Sequence, residues 1–182
     1  YESKDVTIQK ACAFGVMQYP NGDLSSEDLI NGLLTLIRVA KQNTALRYAD
    51  DSTEHFEAAR KMSSMALTLS QDVMQNMRNF RIVVQPVVSA GDGSVLGGEV
   101  LLRWSFEGQD VSPAIFVPML EKNGLIHTVG RWVFEQAVST CVRIHTYNPV
   151  FYLTFNVSLQ QLSDPILLPF MKDTLKKYGL SG

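Results

Sequence analysis

The chain has 182 residues, a formal charge of −2, 46% hydrophobic and 19% charged residues. Such a composition supports one generous domain or two modest ones and excludes a disordered chain. Sixteen basic against eighteen acidic residues, with no dominant basic cluster, exclude a nucleic-acid-binding stripe. No apolar run reaches the roughly 18 residues of a membrane span, and the opening YESKDVTIQK is no signal peptide. Cys12 and Cys141 read as two free thiols in a reducing, cytoplasmic setting. The first residue is Tyr1 and not Met, so the expectation is a piece of a longer protein.

In chain order, residues 6–16 carry a strand pattern that Gly15 interrupts, which predicts a bulge or a close approach. A turn follows over 19–23 (YPNGD). Ser25, with Asp28 three residues on, predicts a capped helix whose apolar face is Leu29, Leu33, Leu36, Ile37 and Ala40. A short strand is expected over 44–48. These first 50 residues hold few elements and read as the tail of a domain lying upstream. A long helix is expected over about residues 53–77, with Met62, Ala66, Leu69, Val73 and Met77 at steps of three and four. Its methionines are read as adaptable packing against a neighbouring domain or subunit and not as metal ligands.

Residues 80–88 (FRIVVQPVV) form a strand that places Gln85 on the face of Arg81, Val83 and Val87. Pro86 lacks an amide, which favours an edge or a strand end. A turn at 90–93 leads into 95–104 (VLGGEVLLRW), so the two strands make a hairpin. Counting by two, Gly97, Glu99, Leu101 and Arg103 share one face, and Gly98, Val100, Leu102 and Trp104 the other. Ser112 and Pro113 open a helix that Asn123 and Gly124 end. A second helix covers about 128–147, with Val129, Val133, Ala137, Cys141 and Ile144 as its stripe. A strand over 151–158 puts Tyr152, Thr154, Asn156 and Ser158 on one face, and Asp164 with Pro165 is expected to cap a last helix ending at Tyr178-Gly179. Strand, two helices, strand, helix is the grammar of βα units with parallel strands. Three strands cannot close a barrel; the open apolar edge calls for further strands, a partner or self-association.

Glu99 is the leading candidate for chemistry, because an acid inside a strand core must be exposed, paired or bound to a metal. Two readings of its strand stand: an edge strand with a solvated charge pair, or a barrel strand aiming Glu99 and Arg103 at an anionic ligand near its C-terminal end. Asn156 either offers its amide oxygen to a hard cation such as Mg²⁺ or caps the loop after its strand. Gln85 has the chemistry to hydrogen-bond a ligand edge. Glu99 and Asn156 are only two protein ligands, fewer than a two-metal phosphodiester site calls for. Glu121 is read as a helix residue. His55, His127 and His145 are scattered without metal-ligand spacing and are read as surface or satisfied core histidines; neither cysteine is read as having a histidine at suggestive spacing.

FRIVVQPVV, Glu99–Trp104 (EVLLRW), SPAIFVPMLEKNGLI from Ser112, GRWV from Gly130 and FNVSLQQL from Phe155 together resemble the first portion of an EAL domain, the cyclic di-GMP phosphodiesterase family. The family triplet Glu-Ala-Leu reads Glu99-Val100-Leu101 here, a change on the face away from Glu99. The resemblance implies an α/β fold: a partial, modified TIM barrel with its first strand antiparallel. By position it makes Glu99 the first metal-binding acid, Asn156 the metal-binding asparagine, Arg103 the phosphate-contacting arginine and Gln85 the glutamine near the guanine end of the ligand. It implies Mg²⁺ or Mn²⁺ as cofactor, cyclic di-GMP as ligand and linear pGpG as product. The later acids and lysine of the family have no match, so this chain by itself is expected to be inactive. Phe14-Gly15, Tyr19-Pro20 and Val39-Ala40-Lys41 resemble the end of a GGDEF (diguanylate cyclase) domain. The resulting plan is a GGDEF-like remnant over 1–50, a connector helix over 51–78 and the N-terminal part of an EAL-like barrel over 79–182. The competing reading is a degenerate parent that binds cyclic di-GMP or a protein partner without hydrolysis.

Overall fold

In the computed structural model, which describes residues 2–3, 6–7, 11–18, 26–52 and 56–180, the chain divides into two units, Tyr1–Met65 and Ala66–Gly182. Within the first, β1 (Glu2–Ser3) pairs antiparallel with β2 (Val6–Thr7). β3 (Phe14–Val16) runs parallel to β4 (Tyr48–Asp50), joined through α1 (Ser26–Gln42). The helix buries Leu36, Val39 and Ala40 with Ala49 of β4, and Ala13 and Met17 pack on that cluster. Gly15 marks a close approach and not a bulge: a Cβ there would lie 2.8 Å from the Ile37 nitrogen and 2.9 Å from Leu36 Cβ.

Two strand expectations in this unit need correction. Residues 6–16 do not form one strand but contribute to β2 and β3 separately. The strand expected over 44–48 begins only at Tyr48, because Asn43 organises a turn first. Its carbonyl accepts the Arg47 N–H (2.9 Å), its side-chain oxygen accepts the Leu46 N–H (3.1 Å), and Arg47 takes a φ of 49°. The turn expected over 19–23, the Ser25 cap and His55 lie outside the described residues.

The boundary between the units falls inside α2 (Phe56–Met74), whose expected start over 53–55 is also outside the described residues. Leu69 and Val73 are buried while Met62 and Met74 are exposed. The helix stops at Met74 and not at Met77, because Asn76, Met77 and Asn79 adopt left-handed backbone and the Arg78 N–H returns to the Asp72 carbonyl (2.9 Å). Met77 is buried all the same, so its apolar spacing was read correctly and its conformation was not.

The second unit is built on β5 (Phe80–Val88), β6 (Val95–Phe106), β7 (Gln109–Val111), α3 (Pro113–Lys122), α4 (Ile126–His145), β8 (Tyr152–Phe155), α5 (Leu159–Leu162) and α6 (Leu167–Tyr178). β5 pairs antiparallel with β6, in a register that sets Phe80 opposite Trp104 and Gln85 opposite Glu99. The other edge of β6 is shared: β8 runs parallel along Gly97 to Val100, and β7 antiparallel along Trp104 to Phe106. Among the described residues β5 has β6 as its only strand partner, which gives Pro86 the edge position it needs.

Trp104 and Phe116 are fully buried, and their rings gather with Phe80, Phe106 and Trp132 at centroid separations of 5.9–6.5 Å. A second cluster joins Phe134 of α4 to Phe155 of β8 (5.2 Å) and Phe170 of α6 (6.3 Å). Burying each such ring contributes about 1.5–3 kcal/mol before entropy is charged against it. These clusters hold α3, α4 and α6 to the sheet.

β7 and α5 were not foreseen. Glu107 and Gly108, with φ of 52° and 75°, make the two-residue reversal into β7. α5 shortens the strand expected over 151–158, which ends at Phe155. The helix expected over 128–147 spans Ile126–His145. Ser112 occupies the N-cap of α3, yet its hydroxyl makes no cap bond. Asp164 is not the N-cap of α6; that position is Ile166, whose N–H Asp164 Oδ1 accepts (2.9 Å). Gly179, at φ 72°, ends α6. Among the described residues no helix is long and apolar enough to cross a membrane.

Candidate functional site

Alternation along β6 separates two environments. Val100, Trp104 and Phe106 are buried, whereas Glu99, Leu101 and Arg103 are half-buried on the opposite face. Register then assembles neighbours around Glu99. Gln85 is its direct partner across β5, a position that brings Cβ atoms to about 4.5–5.5 Å in antiparallel pairs. On the other side Thr154 of β8 is its parallel partner. Asn156 comes next on that face, and its Nδ2 donates to Glu99 Oε1 at 2.7 Å. The structure therefore brings Glu99, Asn156 and Gln85 to one side of the sheet.

Arg103 lies four residues further along the same face, directly opposite Arg81. The two arginines have different partners. Arg81 is bonded to Asp110 and to Ser105 (3.1 Å), and Asp110 in turn accepts from Ser105 (2.9 Å). The Arg81 guanidinium, followed by the Ser105 hydroxyl, holds the Asp110 carboxyl below the usual carboxylate range; the same bond raises Arg81. Arg103 donates instead to the Leu102 carbonyl (2.9 Å), and its charge adds to those that hold the Asp110 carboxyl down. Where β6 runs on past the end of β8, a cleft of about 260 Å³ opens. Arg103, Asn156, Ser158 and Gln161 supply its polar groups, and Leu101, Val117 and Val133 are part of its apolar wall; Glu99 and Gln85 do not line it. An apolar recess with a few convergent polar groups is the ordinary form of a small-ligand site.

A carboxylate and an amide oxygen suit a hard divalent cation. The donor chemistry of Glu99 and Asn156 fits such an ion as part of its shell, since these ions take about six or more oxygens. Among the described residues no group of three His, Cys, Asp or Glu is placed to hold one. Glu121, in α3, and Asp164 are not among the residues lining the cleft.

Three side-chain arrangements escaped the sequence reading. The carboxylate of Asp164 joins α4, its Oδ2 lying 3.1 Å from Arg131 Nη1 and 3.4 Å from His127 Nδ1. That nitrogen is buried without a hydrogen bond, so His127 is neither a surface nor a satisfied core histidine. Cys141 does have a histidine at suggestive spacing: His145 is one turn on, Sγ to Nε2 3.4 Å, and the same Nε2 meets the Phe151 carbonyl at 2.7 Å. Burial pushes the Cys141 thiol up, which keeps it protonated near neutral pH. Both cysteines are free. Finally, Ser158 and Gln161 form a reciprocal cap at α5, a pattern written in the sequence as Ser158-Leu-Gln-Gln161.

A sequence profile of the EAL domain matches residues 66–182. The chain is 25% identical to the bifunctional diguanylate cyclase/cyclic di-GMP phosphodiesterase MucR of Pseudomonas aeruginosa, over 99% of this chain and 26% of that protein. A solved structure of MucR phosphodiesterase in complex with c-di-GMP superposes with a TM-score of 0.58 at 25% identity, over 64% of this chain and 47% of that one. The Pseudomonas aeruginosa FimX EAL domain bound to c-di-GMP matches with a TM-score of 0.54 at 31% identity, over 64% and 46% of the two chains. Against the first curated relatives, this chain spans 18–24% of their length.

Proposed function

The chain belongs to the EAL domain family, the family of cyclic di-GMP phosphodiesterases, and from that premise we propose that residues 66–182 carry the first part of a cyclic di-GMP site. The parent protein, in this reading, hydrolyses the cyclic dinucleotide to linear pGpG once its EAL barrel is complete. The observation that carries the reading is the 2.7 Å contact between the Asn156 amide and the Glu99 carboxylate, with Gln85 in register beside them. Glu99 and Asn156 are the residues that hold Mg²⁺ or Mn²⁺. When bound, such an ion activates water and neutralises charge on phosphoryl oxygens. Arg103, whose hydrogen bond goes to a neutral carbonyl, takes a ligand phosphate through its two-pronged donor set. Gln85 offers an amide to the guanine edge.

With two donors in hand, this chain alone is expected to bind cation and dinucleotide weakly and to turn over nothing. The parallel unit of β3, α1 and β4 supports a GGDEF-like remnant over 1–50, joined by a connector over 51–78 to the EAL-like part over 79–182. The bifunctional name of MucR supports a cyclase part beside the phosphodiesterase part in one chain. Among the described residues β8 pairs with β6 alone and Tyr152 is exposed, which supports a further strand, a partner or self-association covering that edge. The test is pGpG release by the full-length parent with Mn²⁺, native against Glu99→Gln. Turnover that falls by a factor of about 100 or more in the variant supports the reading. Tight dinucleotide binding with no turnover in either protein replaces it with the non-catalytic receptor.

A further inference from the structure

Asn156 belongs to no regular element, since β8 ends at Phe155 and α5 begins at Leu159. A ladder of backbone bonds therefore does not fix its place. The stretch is held instead by Gln161, which is 5% exposed. Gln161 Oε1 accepts the Ser158 N–H at 3.0 Å, and Ser158 Oγ accepts the Gln161 N–H at 3.3 Å, closing a reciprocal cap two residues beyond Asn156.

The outer part of the same amide lies against α4 at Gly130. A Cβ built there would fall 1.7 Å from Gln161 Nε2 and 2.8 Å from its Cδ. Glycine inside a 20-residue helix is unfavourable relative to alanine. Here it makes the notch in which a buried side chain sits. Three residues further on, Asp164 is tied to Arg131 and faces His127. His127, Gly130 and Arg131 are spaced i, i+3 and i+4, so they share one face of α4. Val129, Val133 and Phe134 root that helix in the core. The segment carrying Asn156 is thus seated on α4 at two points, one made by a notch and one by charge.

We infer that Gln161, lodged in the Gly130 notch of α4, is the positioning residue that sets Asn156 against Glu99. What Asn156 then does rests on the proposed function; where it stands does not.

The test follows the side-chain amide of Asn156 in a ¹H–¹⁵N spectrum of this 182-residue chain, identified by its loss in Asn156→Ala. In the native chain one amide proton is bonded to Glu99 and exchanges slowly. In Gln161→Ala and in Gly130→Ala that exchange accelerates about fivefold, the factor an ordinary net hydrogen bond represents. Gln161→Glu retains an acceptor for the Ser158 N–H and restores slow exchange, which a merely structural loss would not predict. Combining Gly130→Ala with Gln161→Ala is no worse than either alone, because both remove one contact. Native exchange at Asn156 in both single variants overturns the inference, and so does additivity in the double variant. Mn²⁺ added to the native chain separates the two ideas. Broadening of the Asn156 amide supports the metal reading; its absence sinks that reading and leaves the positioning result standing.

Discussion

At the end of β6 that meets β7, Trp104 is fully buried among aromatic rings, and its indole N–H is bonded to Asp72 Oδ2 at 2.8 Å. At the end that meets β8, Glu99 is half-buried and receives the Asn156 amide. Each end holds a carboxylate, and burial divides them in an unexpected sense. Asp72 is 4% exposed, yet both its oxygens are taken up by neutral donors from Trp104 and Asn79. A buried acid satisfied in this way is part of the frame. Among the described residues Glu99 receives the single neutral donor of Asn156 while remaining half-buried, and it is the acid proposed above to bind a cation.

The largest expected effect breaks the framed end. Trp104→Ala should destabilise the chain by about 3–5 kcal/mol, read from the midpoint and slope of urea unfolding. Asp72→Ala leaves the Trp104 and Asn79 donors unmatched and should cost about 1–3 kcal/mol in the same assay. Glu99→Gln should shift stability by less than about 0.5 kcal/mol while the parent loses turnover. If Glu99→Gln were as destabilising as Asp72→Ala, the distinction between frame and binding group would collapse. The smallest effect concerns pH. The folded protein holds the Asp110 carboxyl below its ordinary range through Arg81 and Ser105. Ionised Asp110 therefore adds stability that is fully present above the ordinary carboxylate range and fades as pH falls through the lowered value. Asp110→Asn should flatten the acid limb of the melting temperature against pH and leave the neutral region nearly unchanged, since this pair is exposed.

Strand faces were legible because period two is a local property: the side of β6 carrying Glu99 and Arg103 follows from counting residues. The β5–β6 hairpin was legible from its turn, and the α3 boundaries from Pro113 and Asn123. Element ends failed where a side chain intervened. Asn43 delayed β4, and Ser158 with Gln161 cut β8 short. Asp164 has the look of a cap by sequence, yet its charge faces α4, because Arg131 and His127 are spaced to receive it.

Spacing over a few residues dictates which side chains share a face, where glycine and proline break the chain and which acid sits inside a strand. Packing of distant elements is what brings Asn156 to Glu99, fills the space left at Gly130 with Gln161 and encloses Asp72. Each of those contacts joins residues 31 or more positions apart, or turns on how completely an acid is enclosed. No local pattern encodes such meetings, because they are fixed by which elements the core packs side by side.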